Sequence, residues 1–578
     1  MTSWDGTELF YRCWAPATSS KKALLLFHRG HEHSGRFQDF IDRLAMDDCW
    51  AFAWDARGHG HTEGERGYAP SLTTLVRDLE CFVEHIADKH RITVDNMAVV
   101  ANSIGAIVVS AWIHDHAPPL RATVLATPAL RVKLYVPLAI PALRLLSLVR
   151  RKAFITSYVR PRMLTHDEEM IREYAEDPLI TRNIAVNMLL DLHDTATRLM
   201  DHASAVHTPT LILSAGRDWV VHQKPQRRFH DALSSRTKQI SVYDDSFHAI
   251  LHEAERDQTI DEIRDFLTKQ FHDPTTLPSL LDADERGASR NAFARLCQPL
   301  PYWSPRGMLY RGTRLFLHTL GRLSRGIDVG CRTGFNSGAS LDHVYREQAR
   351  GWGPLGRLID RIYLNGPGWR GVRERKQLLQ ELLTRAIREL ARSHRRVQLL
   401  DIASGPGRYV LDTLAQLHVD QFADVDVRAT LCDRSTEALE QGRATAEQLG
   451  VTGVTFSAGD ALCEQSLAAT TPRPNLAVVS GLYELIPENA PVLASLRGLG
   501  KAVDPDGFLV YTNQPWHPQL ELIAHSLDGF DAKPWRMRCR SQLEMDQLVA
   551  TAGFKKITTL STDQGIFTVS LARRTCAP

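Results

Sequence analysis

Residues 97–106 read MAVVANSIGA, an apolar run of strand type followed by a serine between small residues at a point where a helix can begin. A serine on such a strand-to-helix turn is placed to act as a nucleophile. Ala101 stands where the usual G-x-S-x-G pattern has its first glycine, so the turn alone does not decide the role of Ser103. What precedes and follows it does.

Short apolar runs alternate with longer amphipathic segments on both sides: ALLLF (23–27), CWAFAW (49–54), ATVLAT (122–127), PTLILS (209–214) and QISVY (239–243). Continuous β-rich runs separated by helical patterns predict an α/β fold, a parallel sheet covered by helices on both faces. Reactive groups in such a sheet sit on loops at the carboxyl ends of strands. A serine hydroxyl is a weak nucleophile; it needs a histidine base, and the histidine needs an orienting carboxylate. The loops supply them in order: Ser103 after MAVV, Asp218 in GRDWVV and His248 in SFHAILHE. After ALLLF, the stretch HRGHEHSGRF (28–37) offers a glycine turn, so the backbone N–H groups of Gly30 and Ile104 are the expected oxyanion donors.

HEHSGRF, DARGHG (55–60), ANSIGA, GRDWVV and FHAILHE together resemble the monoacylglycerol lipase and lysophospholipase branch of the α/β-hydrolases, over residues 1–270. The resemblance implies a serine ester hydrolase with a helical cap inserted over the active site at about residues 128–200. Arg29 departs from the pattern by replacing a glycine, and puts a cation beside the oxyanion strand, facing either an anionic substrate or solvent. His28, His31 and His33 have a metal-like look, but they follow a strand rather than line a helix face, and the resemblance gives them a structural role; no metal is expected.

The insert is basic and apolar. No acid occurs between Asp115 and Asp167, while Arg121, Arg131, Lys133, Arg144, Arg150, Arg151, Lys152, Arg160 and Arg162 all do. Such a segment can lie in a headgroup interface and attract anionic lipid. Membrane contact and an acyl ester with a lipid tail, of lysophospholipid or monoacylglycerol type, are therefore expected. The alternatives are a cap that exposes its cations to water and a hydrolase of peptides or small esters.

A second series of runs follows: VQLLDIAS, VRATLCD, VTFSAGD, NLAVVSG, GFLVYTN and FTVSLAR, between residues 397 and 573. In VQLLDIASGPGRYVLDTL (397–414), Gly405 and Gly407 let the backbone approach a ligand. Asp433 ends the next strand, where a carboxylate can meet ribose hydroxyls. Val410 stands where a dinucleotide motif would have its third glycine. The pattern instead resembles class I S-adenosylmethionine-dependent methyltransferases with a Rossmann-like fold, Ala403 standing for the first glycine of D-x-G-x-G-x-G. The resemblance implies that Asp401, Ala403, Gly405 and Gly407 contact the methionine part of S-adenosylmethionine, Asp433 the ribose and Asp460 the adenine. SGLYEL (480–485) lacks the amine-methylase signature; Tyr483 and Glu484 lie where they could touch an acceptor or merely start a helix. A regulatory domain that binds the cofactor without transfer is the alternative.

The 578 residues exceed one hydrophobic core. HDPTTLPSLLDADERGAS (272–289) reads as a linker, giving a hydrolase domain at 1–270, a linker at 271–300, a helical extension at 301–395 and a methyltransferase domain at 396–578. Fused bacterial hydrolase–methyltransferase chains have this layout, and the sequence resembles them end to end. Residues 303–326 are expected to be an amphipathic packing helix. A net charge of +2, without aromatics regularly interleaved with basic residues, argues against nucleic acid. Nine cysteines, an odd number without metal-ligand spacing, favour reduced thiols in a cytoplasmic setting. The longest apolar stretch, 134–149, is broken by two prolines and Arg144, so no transmembrane helix is expected.

Overall fold

The computed structural model describes residues 1–150, 152–393, 396–419 and 426–575, so Arg151 of the basic insert lies outside the described residues. The chain forms two compact units, Met1–Pro278 and Ser279–Pro578.

The first unit holds strands β1 (Tyr11–Trp14), β2 (Ala23–Phe27), β3 (Trp50–Trp54), β4 (Met97–Asn102), β5 (Ala122–Ala126), β6 (Phe154–Thr156), β7 (Asn183–Ala185), β8 (Thr210–Ala215) and β9 (Lys238–Tyr243). Seven of them form one sheet in the order β1-β3-β2-β4-β5-β8-β9. All neighbours are parallel except the edge pair β1 and β3. Successive side chains of a strand point to opposite faces, so a strand buried on both faces must be apolar throughout. The sequence ALLLF does this: Leu25 and Phe27 pack with Phe82, Val99 and Trp112, while Leu24 and Leu26 pack with Phe40, Leu211 and Ile260. Between β5 and β8 the chain leaves the sheet. The expected cap is there, and it holds the small antiparallel pair of β6 and β7 and the helices Ala139–Val149 and Val186–Asp201.

The second unit holds β10 (Arg396–Ile402), β11 (Asp426–Asp433), β12 (Val454–Ala458), β13 (Leu476–Val479), β14 (Phe508–Asn513), β15 (Phe554–Ser561) and β16 (Thr568–Arg574). Their order is β12-β11-β10-β13-β14-β16-β15, with β16 antiparallel to both neighbours. The strand order reverses between β10 and β13, and a crevice opens beyond the carboxyl ends of strands at such a point. Two cores flank the sheet, Val397 and Leu399 facing one and Leu400 and Ile402 the other.

Two expectations change. Much of the proposed linker 271–300 is folded: residues 279 onward belong to the second unit and include the helix Ala288–Cys297. The Leu280 N–H donates to Gln547, and Asp284 accepts from the Asn489 N–H at 2.7 Å. These backbone and carboxylate bonds carry no apolar periodicity, so hydropathy hides them. The packing helix expected at 303–326 is shorter: it spans Pro305–His318, and a 3-10 turn follows at Leu320–Leu323. Leu317 is buried, but Leu309, Leu315 and Phe316 remain exposed.

A buried cluster holds the turn after β13. Arg540 donates to the carbonyls of Tyr483 (2.6 Å), Ile486 and Glu488 (2.9 Å) and to Asn489, while Arg538 pairs with Glu544 at 2.6 Å. Removing one member of such a cluster leaves buried polar groups unpaired. Arg540→Met is expected to destabilise the second unit by about 3–5 kcal/mol. Urea unfolding of the second-unit transition measures it, and a loss below 1 kcal/mol contradicts it.

Candidate active sites

Ser103 sits between β4 and the helix Ile104–His116 with φ +53° and ψ −109°, a conformation a non-glycine residue rarely holds. The turn brings the helix start against β2: a Cβ on Gly105 would lie 2.5 Å from the carbonyl oxygen of His28. Ala101, by contrast, is fully buried in β4 beside Phe27 and Leu125, where its methyl group packs into the core. That is why alanine is tolerated at the first glycine position.

The loops after β8 and β9 deliver the other two groups. His248 Nε2 lies 2.8 Å from Ser103 Oγ, and His248 Nδ1 lies 2.8 Å from Asp218 Oδ2. The second carboxylate oxygen of Asp218 accepts the N–H groups of Val220 at 2.7 Å and Val221 at 2.9 Å. Thr127 donates to the carbonyl of His248 at 2.9 Å. Burial would raise the Asp218 carboxyl, but His248 and the two N–H groups outweigh it and hold it below the ordinary value. With Asp218 ionised, Nδ1 of His248 carries the proton and Nε2 is free to accept one from the serine.

Gly30 and Ile104 line the same cavity as Ser103 and His248, a space of about 110 Å³ beneath the cap. Ile155, Val159, Leu164, Leu189 and Leu192 make its walls apolar, and among the described residues no carboxylate lines it. A further void of about 60 Å³, sharing Val132, Leu134, Leu189 and Leu192, continues under the helix Ala139–Val149. Arg29 does not face solvent: it is buried, paired with Glu32 at 2.6 Å, and lies over the Tyr174 ring. His28 accepts the Ala56 N–H and donates to the Arg29 carbonyl, while His33 accepts the Gly35 N–H and meets Asp177 at 2.8 Å. Among the described residues no group of three or more His, Cys, Asp or Glu side chains is arranged to hold a metal ion.

In the second unit a cleft of about 660 Å³ opens at the carboxyl ends of β10, β11 and β13. Ala403, Gly405 and Gly407 all line it, with φ +54°, +56° and +68°. Left-handed backbone explains the glycines of the motif; holding alanine there costs about 1–2 kcal/mol. At Gly407 a Cβ would lie 2.4 Å from Leu431 Cδ1, so a side chain there would require the buried leucine to move. Asp433 lines the cleft and braces the loop, accepting the N–H groups of Gly405 and Ser435 at 2.8 Å each. Asp460 lines it too, paired with Arg434 at 2.6 Å. Ser480 lines it with a buried hydroxyl that has no hydrogen-bond partner among the described residues.

Two expected contacts are absent. Asp401 is fully buried and does not line the cleft; one oxygen accepts from the Tyr409 hydroxyl at 2.9 Å. The alternation of β10 places Asp401 on the face of Leu399, under the helix Arg408–Val419 that carries Tyr409. Burial pushes its carboxyl well above the ordinary value. Tyr483 is not at an acceptor site either: its ring packs in the core and its hydroxyl meets Ser495 at 2.9 Å. Glu484 does line a cavity, a second and mostly apolar one of about 410 Å³. Arg375, Trp369 and Trp535 also line that cavity; Trp369 and Arg375 lie in RIYLNGPGWRGVRERK (361–376), a stretch of the helical extension to which the sequence assigns no site role, and the one available sign is an arginine on the apolar stripe of Val372, Leu379 and Leu382 in a long amphipathic helix.

Residues 263–574 match a family described as "Putative methyltransferase", and residues 18–255 match "Serine aminopeptidase, S33". "Uncharacterized protein YnbC" of Escherichia coli (strain K12) is 46% identical, over 99% of this chain and 97% of its own length. A monoacylglycerol lipase of Mycolicibacterium smegmatis is 23% identical, over 46% of this chain and 95% of its own. The crystal structure of Paleococcus ferrophilus monoacylglycerol lipase aligns with 46% of this chain and 99% of its own at a TM-score of 0.42 and 21% identity.

Proposed function

Since the chain belongs to the putative methyltransferase family, and its first unit is an α/β hydrolase related to the monoglyceride lipases, we propose that it is a bifunctional enzyme: a serine hydrolase of lipid acyl esters joined to an S-adenosylmethionine-dependent methyltransferase. The observation that carries the hydrolase reading is the continuous contact from Ser103 through His248 to Asp218. Ser103 Oγ attacks the ester carbonyl as His248 takes its proton, giving an acyl-serine and, once the proton is returned, a free alcohol. Water then repeats the sequence and releases the acid. The N–H groups of Gly30 and Ile104 bind the oxyanion; losing one such donor costs about a hundredfold or more in rate.

Lipid is favoured over peptide by the cavity. An enzyme that trims amino termini needs an anion for the substrate ammonium, and among the described residues no carboxylate lines this space. Its apolar walls and their continuation under the cap suit an acyl chain. The cap helix leaves Leu145, Leu148 and Val149 exposed, with Leu148 at 83%. Arg144, Arg150 and Lys152 stand beside them. This face is proposed to rest on an anionic lipid surface. Among the described residues no helix is long and apolar enough to cross a membrane.

The second cleft suits S-adenosylmethionine, which supplies an electrophilic methyl group when bound. Its volume lies in the range of cofactor pockets. The left-handed loop at Ala403–Gly407 brings backbone close to the ligand, Asp433 would hold the ribose hydroxyls, and the partnerless Ser480 hydroxyl offers a further bond. Asp460 would hold the adenine amine.

A fluorophosphonate is expected to label Ser103, and nitrophenyl ester hydrolysis is expected to rise from acetate to octanoate by about tenfold or more in kcat/KM, as buried methylenes add up. Preference for acetate, or for aminoacyl anilides, would overturn the lipid reading.

A further inference from the structure

The 410 Å³ cavity of the second unit belongs to neither motif set, and its lining comes mainly from the helical extension. Phe316, Ile359, Ile362, Trp369, Val372 and Ile523 furnish apolar walls from the helices Pro305–His318, Gly353–Leu364, Pro367–Ser393 and Leu520–Ser526. It joins the larger cleft: Asn336, Leu341, Arg375, Gly481, Leu485 and Trp535 line both spaces. At this waist the chain turns at Gly481, with φ +73° and room for a Cβ only 3.2 Å from the Arg375 guanidinium.

The polar groups gather at the waist. Glu484 is 5% exposed and Arg375 4%, and their charged ends lie 3.7 Å apart. Glu484 Oε1 accepts from the Thr512 hydroxyl at 2.6 Å, but Oε2 is buried without a hydrogen-bond partner among the described residues. A buried carboxylate oxygen left unpaired is costly unless something donates to it. At the opposite end the space opens past Ile362, which is 66% exposed, and Phe316, also exposed.

We propose that this cavity binds the molecule on which the second unit acts, and that this molecule is a single-chain alkyl amphiphile. Its chain lies along Phe316, Ile362 and Ile523, and a neutral hydroxyl head donates to Glu484 Oε2 beside the cofactor cleft. The neutral head follows from charge: Glu484 and Arg375 already balance, so an ammonium would enter as an unpaired buried cation. The inference rests on the methyltransferase reading for its chemistry but not for its binding site, and the two are separable by experiment.

The probe is 11-bromoundecan-1-ol, whose bromine quenches tryptophan on contact; Trp369 and Trp535 line the cavity. Titration of the full chain is expected to show saturable quenching. Competing alkan-1-ols from hexanol to dodecanol should bind about threefold to fourfold tighter per added methylene until the cavity is full. Ile523→Phe, which fills the space, should abolish quenching. Ile362→Glu, at an exposed position where folding is not at stake, should weaken it about tenfold. Glu484→Gln should weaken alkanol binding about tenfold or more, as expected for a hydrogen bond to a charged group. Absence of saturable quenching, or quenching indifferent to both Ile523→Phe and Ile362→Glu, overturns the site. Dodecylamine binding tighter than dodecanol overturns the neutral head. Calorimetry with S-adenosylhomocysteine, run on the same protein, tests the other reading. Nucleoside binding without alkanol binding rejects only the cavity assignment, whereas alkanol binding without nucleoside binding rejects the methyltransferase reading.

Discussion

Ser103→Ala is expected to lower kcat for ester hydrolysis by about 10⁶-fold, the scale seen when a triad nucleophile is removed. The size follows from the geometry. His248 Nε2 is 2.8 Å from Ser103 Oγ, so the proton has a receiver at the moment the oxygen attacks. With alanine, the proposed oxyanion donors at Gly30 and Ile104 and the apolar cavity stay in place, but no acyl-enzyme forms. Only weak assistance to a water molecule is left. Folding should be intact, because the serine side chain contributes no core contact; the elbow's cost lies in its backbone. Stopped-flow kinetics on a nitrophenyl ester would lose its burst, and S-adenosylhomocysteine affinity in the second unit should not change. Residual activity within tenfold of the parent would remove Ser103 from the mechanism.

Asp218→Asn is expected to cost about 10⁴-fold in kcat while leaving stability nearly untouched. The direction comes from the hydrogen bonds of the carboxylate. Its Oδ1 accepts the N–H groups of Val220 and Val221, which any replacement must also satisfy with an acceptor. An asparagine therefore turns its carbonyl toward them and its NH₂ toward His248. Nδ1 of the imidazole must then accept rather than donate, and its proton moves to Nε2. That nitrogen can no longer receive the serine proton. Asp218→Glu keeps the charge but lengthens the arm and should recover only part of the activity. Two measurements check the account: the kcat of both variants, and the Nδ1–H proton resonance of His248, which asparagine should abolish. An asparagine variant with more than a tenth of parental kcat would contradict it.

The strand runs were legible where both faces are buried. ALLLF and VQLLDIAS are continuous because helices cover both sides of each sheet, and such runs need no partner to be recognised. The edge strand Phe554–Ser561 was harder to read: as FKKITTLS it lies at a sheet margin, where lysines suit an exposed edge and break the apolar signal. The folded stretch from residue 279 stayed hidden because its anchors are polar bonds from Leu280, Asp284 and Ser289 to distant residues.

Sequence alone was enough for whatever is local or ordinal. It contains the order of Ser103, Asp218 and His248, the glycine loop after VQLLDIA, and the basic, acid-free cap. These are set by short motifs and by strand periodicity, which residues carry regardless of what they later touch. Only the tertiary structure decided which side chains face a ligand. Asp401 belongs to a matching motif and Tyr483 follows the fourth strand of that sheet, yet strand register and core packing turn both inward. Glu484, one residue beyond Tyr483, is turned instead toward a cavity built from four helices far away in the chain. A cavity is the space left between surfaces that meet only after folding, so no single segment encodes it.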